Sequence, residues 1–190
     1  PLFTLLFATI ASAVTPTFIQ EPIKIDGILS ESSWENAPVV DTMYGYAPTS
    51  GDVHSDISAQ FLVDDNALYV TIAVTDMDPT SLNAPLVRRD TTNDNDWVGL
   101  LVDPYNTGVS AFAFRVNPRG VQADGIFIEG KSHPVMMSLS WDAVFQSAGV
   151  ITDDGYRVEI AIPFRSVRYP TTDTQNWGVA VLRKQPMPWT

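Results

Sequence analysis

The sequence predicts an all-β fold, two antiparallel sheets packed face to face as a β-sandwich. Three observations lead there. Apolar residues alternate with polar ones at a period of two, and no long stretch repeats them at the helical 3.6. The alternating runs are short and recur at regular spacing. Between them stand turn formers, among the 14 prolines and 11 glycines of a 190-residue chain, which is long enough for one buried core and short for two domains.

In chain order, the front is an apolar, charge-free run, "PLFTLLFATIASAVTPTF", closing on Ala11-Ser12-Ala13. Small-x-small after an apolar run is the pattern of a secretory cleavage site, and thirteen residues are too few to span a bilayer. Residues 1–13 are therefore expected to be the end of a signal peptide and residues 14–190 one domain, placed in the periplasm, in the outer membrane or outside the cell. A buried first strand is the competing expectation. "SESSWENAP" has the serine and length for one or two helical turns with Trp34 as a buried anchor. Ile57, Ala59, Phe61 and Val63 share a strand face, Asp64-Asp65-Asn66 turns the chain, and Leu68, Val70, Ile72 and Val74 return. "WVGLLVD" (97–103) leads into the turn "PYNTG", and "SAFAFRVN" sets Phe112, Phe114 and Val116 on one face before "NPRG" turns again. "VQADGIFIE", "WDAVFQSAG", "GYRVEIAIP" with Tyr156, Val158, Ile160 and Ile162, a short turn at "PFRSVR", and "WGVAVLRK" complete the set.

Composition narrows function by exclusion. Acids outnumber bases 22 to 11, a net charge of −11, so the basic footprint that nucleic acid requires is missing. No cysteine is present, which removes disulfide and thiolate chemistry. The two histidines, His54 and His133, have no second histidine at metal-ligand spacing. No G-x-S-x-G, H-E-x-x-H or phosphate loop occurs, and nothing nominates a nucleophile beside a base. The chain reads as non-catalytic.

What chemistry the chain does suggest gathers in "RRDTTNDNDWVGLLVD", residues 88–103. Residues 52–103 hold ten of the 22 acids, all aspartate, against Arg88 and Arg89 alone. Short acidic side chains suit turns, because they bond nearby backbone amides, and they equally suit oxygen-ligand cations. Asp76 and Asp78 end one strand while Asp90 and Asp94 precede the next, so the four are candidate ligands for Ca2+; the competing expectation is a solvated loop. The twelve-residue helix-loop-helix consensus is not met, since Val98 falls at an oxygen position counted from Asp94. Arg88 or Arg89 with Asp96 is able to hold sugar hydroxyls or, alternatively, to pin a loop. Trp97, Tyr105, Trp141 and Trp177 each adjoin a polar residue and are candidates to stack on a sugar ring, against the alternative that they anchor the core.

Several segments taken together resemble a known family. "IKIDGILSESSWENAP", "DNALYVTIAVTD", "NDWVGLLVDPYNTG", "FRVNPRGVQADG", "WDAVF", "DDGYRVEIAIPFRSVRY" and "WGVAVLRK" are similar, in order from Ile23 to Lys184, to family 9 carbohydrate-binding modules. They are most similar to the branch preceding a C-terminal outer-membrane β-barrel in exported bacterial proteins. The resemblance implies an immunoglobulin-like sandwich, calcium in some relatives, glycan binding, and a barrel partner beyond Thr190. It also implies two aromatic rings clamping the sugar. The expectation is a non-catalytic carbohydrate-binding module linked to polysaccharide breakdown, with Trp97 or Trp177 stacking, Arg88 or Arg89 with Asp96 fixing hydroxyls, and Asp76, Asp78, Asp90 and Asp94 steadying the loop through Ca2+. The alternative is a structural domain that docks on or gates the barrel.

Overall fold

Period-two alternation becomes strand wherever the sequence carries it. The computed structural model describes residues 3–9, 14–41, 43–47, 53–54, 56–75, 77–130 and 137–186. Among them the strands are β1 (Phe3–Thr9), β2 (Thr17–Phe18), β3 (Val39–Val40), β4 (Met43–Ala47), β5 (Val53–His54), β6 (Ile57–Val63), β7 (Ala67–Val74), β8 (Trp97–Asp103), β9 (Ser110–Val116), β10 (Gln122–Ile128), β11 (Gln146–Thr152), β12 (Gly155–Pro163) and β13 (Gly178–Pro186). Among the described residues helix is limited to 3-10 turns, one of them Ser32–Asn36.

Two sheets result. One runs β10-β9-β8-β13-β1-β4-β5, the other β11-β12-β7-β6-β2 with β3 also on β6. Pairing is antiparallel throughout except for the two-residue β2–β6 contact, which is parallel. The expected β6–β7 hairpin forms, and its turn is held by Asp64, whose Oδ1 accepts from the backbone N–H of Asn66 and Ala67, both at 2.7 Å.

Register puts the alternating residues where they exclude water. Phe61, Val70 and Ile160 lie side by side on one sheet, and Phe114, Leu100 and Val181 side by side on the other. All six are buried in one core cluster between the sheets. Each such side chain contributes roughly 1.5–3 kcal/mol by leaving water.

A second cluster covers the outer face of the smaller sheet. Trp34, on its 3-10 turn, packs with Ile19, Ile23, Leu62 and Tyr69. Glu159 of β12, fully buried there, holds the incoming chain: its Oε2 accepts from the N–H of Asp26 at 3.0 Å and of Gly27 at 2.6 Å. Gly27 adopts φ +83°, and a Cβ there would come within 2.5 Å of the Val150 side chain, so the position needs glycine on both counts.

Residues Phe3–Thr9, assigned from sequence to a leader, lie here as a strand between β13 and β4.

Candidate functional site

At the front of the acidic stretch, aspartates build the fold. Asp96 is buried, and it exchanges bonds with Asn83: its N–H donates to the Asn83 carbonyl at 2.9 Å and its Oδ2 accepts the Asn83 N–H at 2.7 Å. Burial pushes its carboxyl up to about 6. Trp97 follows with 0 % of its surface exposed. Its ring sits on the outer face of the larger sheet with Leu101, Ala113 and Leu182, and the Arg115 guanidinium lies 4.5 Å from the ring centroid. Burial pulls Arg115 down to about 10. With no free face, Trp97 stacks no sugar; it is a core anchor, and Asp96 beside it is a loop tie.

The two arginines separate. Arg88 is exposed, and its carbonyl accepts from the backbone and hydroxyl of Thr91. Arg89 turns toward β10, pairing with Asp124 and, at 3.3 Å, with Asp142, and it donates to Gln122 and to the Ala143 carbonyl.

Among the described residues, the candidate calcium ligands Asp78, Asp90 and Asp94 take different partners. Asp76 lies outside the described residues. Asp78 caps a 3-10 turn (Pro79–Ser81) by accepting from the Thr80 N–H and hydroxyl, and Asp94 is exposed, its carbonyl taken by the Asn83 amide. Asp90 instead meets two aspartates from other parts of the chain: carboxylate oxygens of Asp90, Asp124 and Asp142 lie within 4.8 Å of one another. Calcium takes six to eight oxygens. In this cluster the positive charge is Arg89, and one Asp124 oxygen already accepts the Ala143 N–H, so the set as it stands does not fit a calcium shell.

At the other end of β8 the chain builds a hollow. Asp103, the last residue of the strand, accepts from the N–H of Tyr105 at 3.1 Å, Thr107 at 2.6 Å and Gly108 at 2.8 Å. Asn106 and Gly108 take positive φ, 50° and 69°, which lets the loop close tightly around that carboxylate. Tyr105 is thereby held outward, 56 % exposed.

Because β13 pairs antiparallel with β8, Gly178 at its start stands beside Asp103. The segment joining β12 to β13 therefore arrives at the same end. It opens with a 3-10 turn (Phe164–Ser166), whose Phe164 N–H is anchored on the Asn66 carbonyl. Phe164, Tyr169 and Trp177 form a ring cluster with centroids 5.6–6.0 Å apart. Gln175 braces the segment: its amide donates to the carbonyls of Pro170 and Thr172, and its oxygen accepts the Trp177 indole N–H at 3.0 Å.

Between this segment and Tyr105 lies a hollow of about 710 Å³, lined by Tyr105, Phe164, Arg165, Val167, Arg168, Tyr169, Pro170, Thr171, Thr172 and Gln175. Tyr169 is 40 % exposed. Trp177 backs the lining from behind, its N–H already satisfied. The hollow is shallow and open to solvent. Of the sequence candidates, Tyr105 lines the hollow and Trp177 supports it, while Trp97, Arg88, Arg89 and Asp96 do not line it. Tyr169, Arg165 and Arg168 were missed, because "PFRSVRYPTT" shows only a turn and a loop.

Residues 25–184 match the carbohydrate family 9 binding domain-like family. No curated protein matches the chain. Among solved structures, a family 9 carbohydrate-binding module from Caldicellulosiruptor kristjanssonii in complex with cellotriose is 20% identical, with a TM-score of 0.57, covering 90% of this chain and 83% of that one. The same kind of module in complex with glucose is equally similar, with 85% of its own length covered. A putative carbohydrate-binding protein from Bacteroides uniformis has a TM-score of 0.58 at 9% identity, covering 90% of this chain and 91% of that one. At such identities the likeness establishes the fold, that of carbohydrate-binding modules.

Proposed function

Because the chain belongs to the carbohydrate family 9 binding domain-like family, we propose that it is a non-catalytic module that holds a glycan in the hollow at the Asp103 end of the larger sheet. The observation that carries this is the pair of outward-held tyrosines, Tyr105 and Tyr169, lining one hollow from two separate segments. A pyranose has apolar faces that stack on an aromatic ring, and a tyrosine adds a hydroxyl for the ring's polar edge. Asp103 holds one tyrosine through its loop, and the Phe164–Trp177 cluster holds the other, so little ordering cost falls on binding. The apolar run ending Ala11-Ser12-Ala13 supports an exported module, where polysaccharide is met.

The test is calorimetric titration of soluble oligosaccharides, neutral and charged, into the wild type and into Tyr105→Ala and Tyr169→Ala. Each truncation is expected to weaken binding about tenfold, about 1.4 kcal/mol, with the circular dichroism spectrum unchanged. Affinity untouched in both variants refutes the site; no heat with any oligosaccharide refutes the function.

A further inference from the structure

We infer that the ligand of this hollow is an anionic glycan, a sugar chain bearing carboxylate or sulfate groups. The inference rests on the glycan-binding reading above and concerns the same site.

The lining contains two arginines, Arg165 and Arg168, and no acid. In a chain with twice as many acids as bases, that is a local reversal of sign. Both arginines are exposed, and among the described residues neither has an ion pair or a side-chain hydrogen bond. Several cationic groups elsewhere serve the fold: Arg89 holds Asp124 and Asp142, Arg183 holds Asp56, Arg115 covers the Trp97 ring, and Lys184 donates to the Asn93 carbonyl, while exposed Arg88 likewise makes no side-chain bond among the described residues. Among the described residues nothing engages the Arg165 or Arg168 side chain.

The remaining lining groups point the same way. A neutral sugar edge presents hydroxyls that both donate and accept, and such sites commonly answer with carboxylate or amide acceptors beside their donors; here the side-chain acceptors are hydroxyls and one amide. Gln175 is the one side-chain amide in the lining, and both its oxygen and its nitrogen are engaged within its own segment. What remains is two guanidiniums with the hydroxyls of Tyr105, Tyr169 and Thr171, since the Thr172 hydroxyl donates to the Thr174 carbonyl at 2.8 Å and accepts from Gln175. Guanidinium forks match the paired oxygens of a carboxylate or sulfate. The chain's net charge of −11 is spread over the whole molecule, and exposed charges beyond about 8 Å are largely screened at physiological ionic strength. The nearest acid in sequence, Asp173, is exposed on the same segment and does not line the hollow.

The experiment measures affinities of the full chain and of the Arg165→Gln/Arg168→Gln variant for three probes: cellotriose, trigalacturonate and a sulfated galactose oligomer. Both arginines are exposed and make no internal bond among the described residues, so the variant is expected to fold, checked by its unfolding midpoint. At least one anionic probe should bind about tenfold tighter than cellotriose, a preference that fades as salt is raised and collapses toward one in the variant. Which anionic probe responds tells carboxylate from sulfate. Equal affinity for neutral and anionic probes overturns the inference and leaves the glycan site standing. An anionic preference that survives in the variant also overturns it, and binding of no probe overturns both.

Discussion

Replacing Trp97 by alanine separates an anchor from a platform more sharply than any other single change. The ring is fully buried among Leu101, Ala113 and Leu182, with the Arg115 guanidinium 4.5 Å from its centroid. A large aromatic buries roughly 200 Å², which at 25 cal/mol/Å² is about 5 kcal/mol, at the upper end of the cost seen for truncating core aromatics. Arg115 is itself buried and would lose its aromatic partner, a contact of about 2 kcal/mol when desolvated. Some relaxation of the site offsets part of this, so the expected loss is about 5 kcal/mol. Domains of this kind hold about 5–15 kcal/mol in all, so Trp97→Ala should stand close to unfolding at 25 °C. Urea titration followed by far-ultraviolet circular dichroism measures the loss directly. Trp177→Ala, a half-buried ring, should cost about 2 kcal/mol and serves as the control. If Trp97→Ala loses less than about 1 kcal/mol yet no longer binds any glycan, the ring is accessible. The site then belongs to the Asp96 end of β8, where Trp97 stands, and not to the hollow.

Asp103→Ala removes the acceptor of three backbone N–H groups and should cost about 2 kcal/mol in the same titration, while weakening glycan binding with both tyrosines intact. Asp96 gives a pH dependence. Its folded carboxyl titrates at about 6 against an ordinary 3.8, so the native state holds the proton more tightly and stability falls as pH rises from about 4 through 6. The span is about 3 kcal/mol for this group alone, and Asp96→Asn, which keeps an acceptor for Asn83, should flatten that part of the midpoint-against-pH curve. Arg89→Gln leaves the buried Asp124 carboxylate without its cation and should cost about 3 kcal/mol. Calcium should leave the wild-type midpoint unmoved and raise that of Arg89→Gln, whose three aspartates then lack their internal charge; a calcium shift in the wild type refutes the assignment of that charge to Arg89.

The sandwich was legible because alternation is local. Ile57 to Val74 carries both strand faces and the Asp64 turn within eighteen residues, and Tyr156 to Ile162 repeats the pattern on the neighbouring strand. The anchor role of Trp34 was legible for the same reason. Trp97, a candidate sugar platform with core anchor as the alternative, is the core anchor, and the strand's own pattern carries the reason. "WVGLLVD" is a nearly unbroken apolar run, and all seven residues are buried: Val98, Leu100 and Val102 face the other sheet, while Trp97 and Leu101 pack on the opposite face. An apolar run without alternation is the signal of a strand covered on both sides, and that signal was present. No local pattern announces what joins residues far apart in the chain. Arg89 meets Asp124 and Asp142 across 35 and 53 positions, and the Glu159 carboxylate holds Gly27 across 132.

Tyr105 was legible as an aromatic beside a turn, and Tyr169 was not, yet topology relates them. Once β13 pairs antiparallel with β8, the start of one stands at the end of the other, and whatever links β12 to β13 must come to the loop after Asp103. The hollow follows from strand order, and its character follows from the linking segment. The two braces, Asp103 under the Tyr105 loop and Gln175 within the Tyr169 segment, bond mainly to backbone and take no ligand themselves. Such braces fix where the rings stand without fixing what lies beside them. Arg165, Arg168 and Thr171 are free of that bracing and line the same space, so on the anionic-glycan proposal the groups that read ligand charge are ones the scaffold does not use. The acidic stretch then has two structural duties. Its first aspartates tie loops to the sheet, and its last, Asp103, shapes the loop that holds Tyr105 beside the hollow.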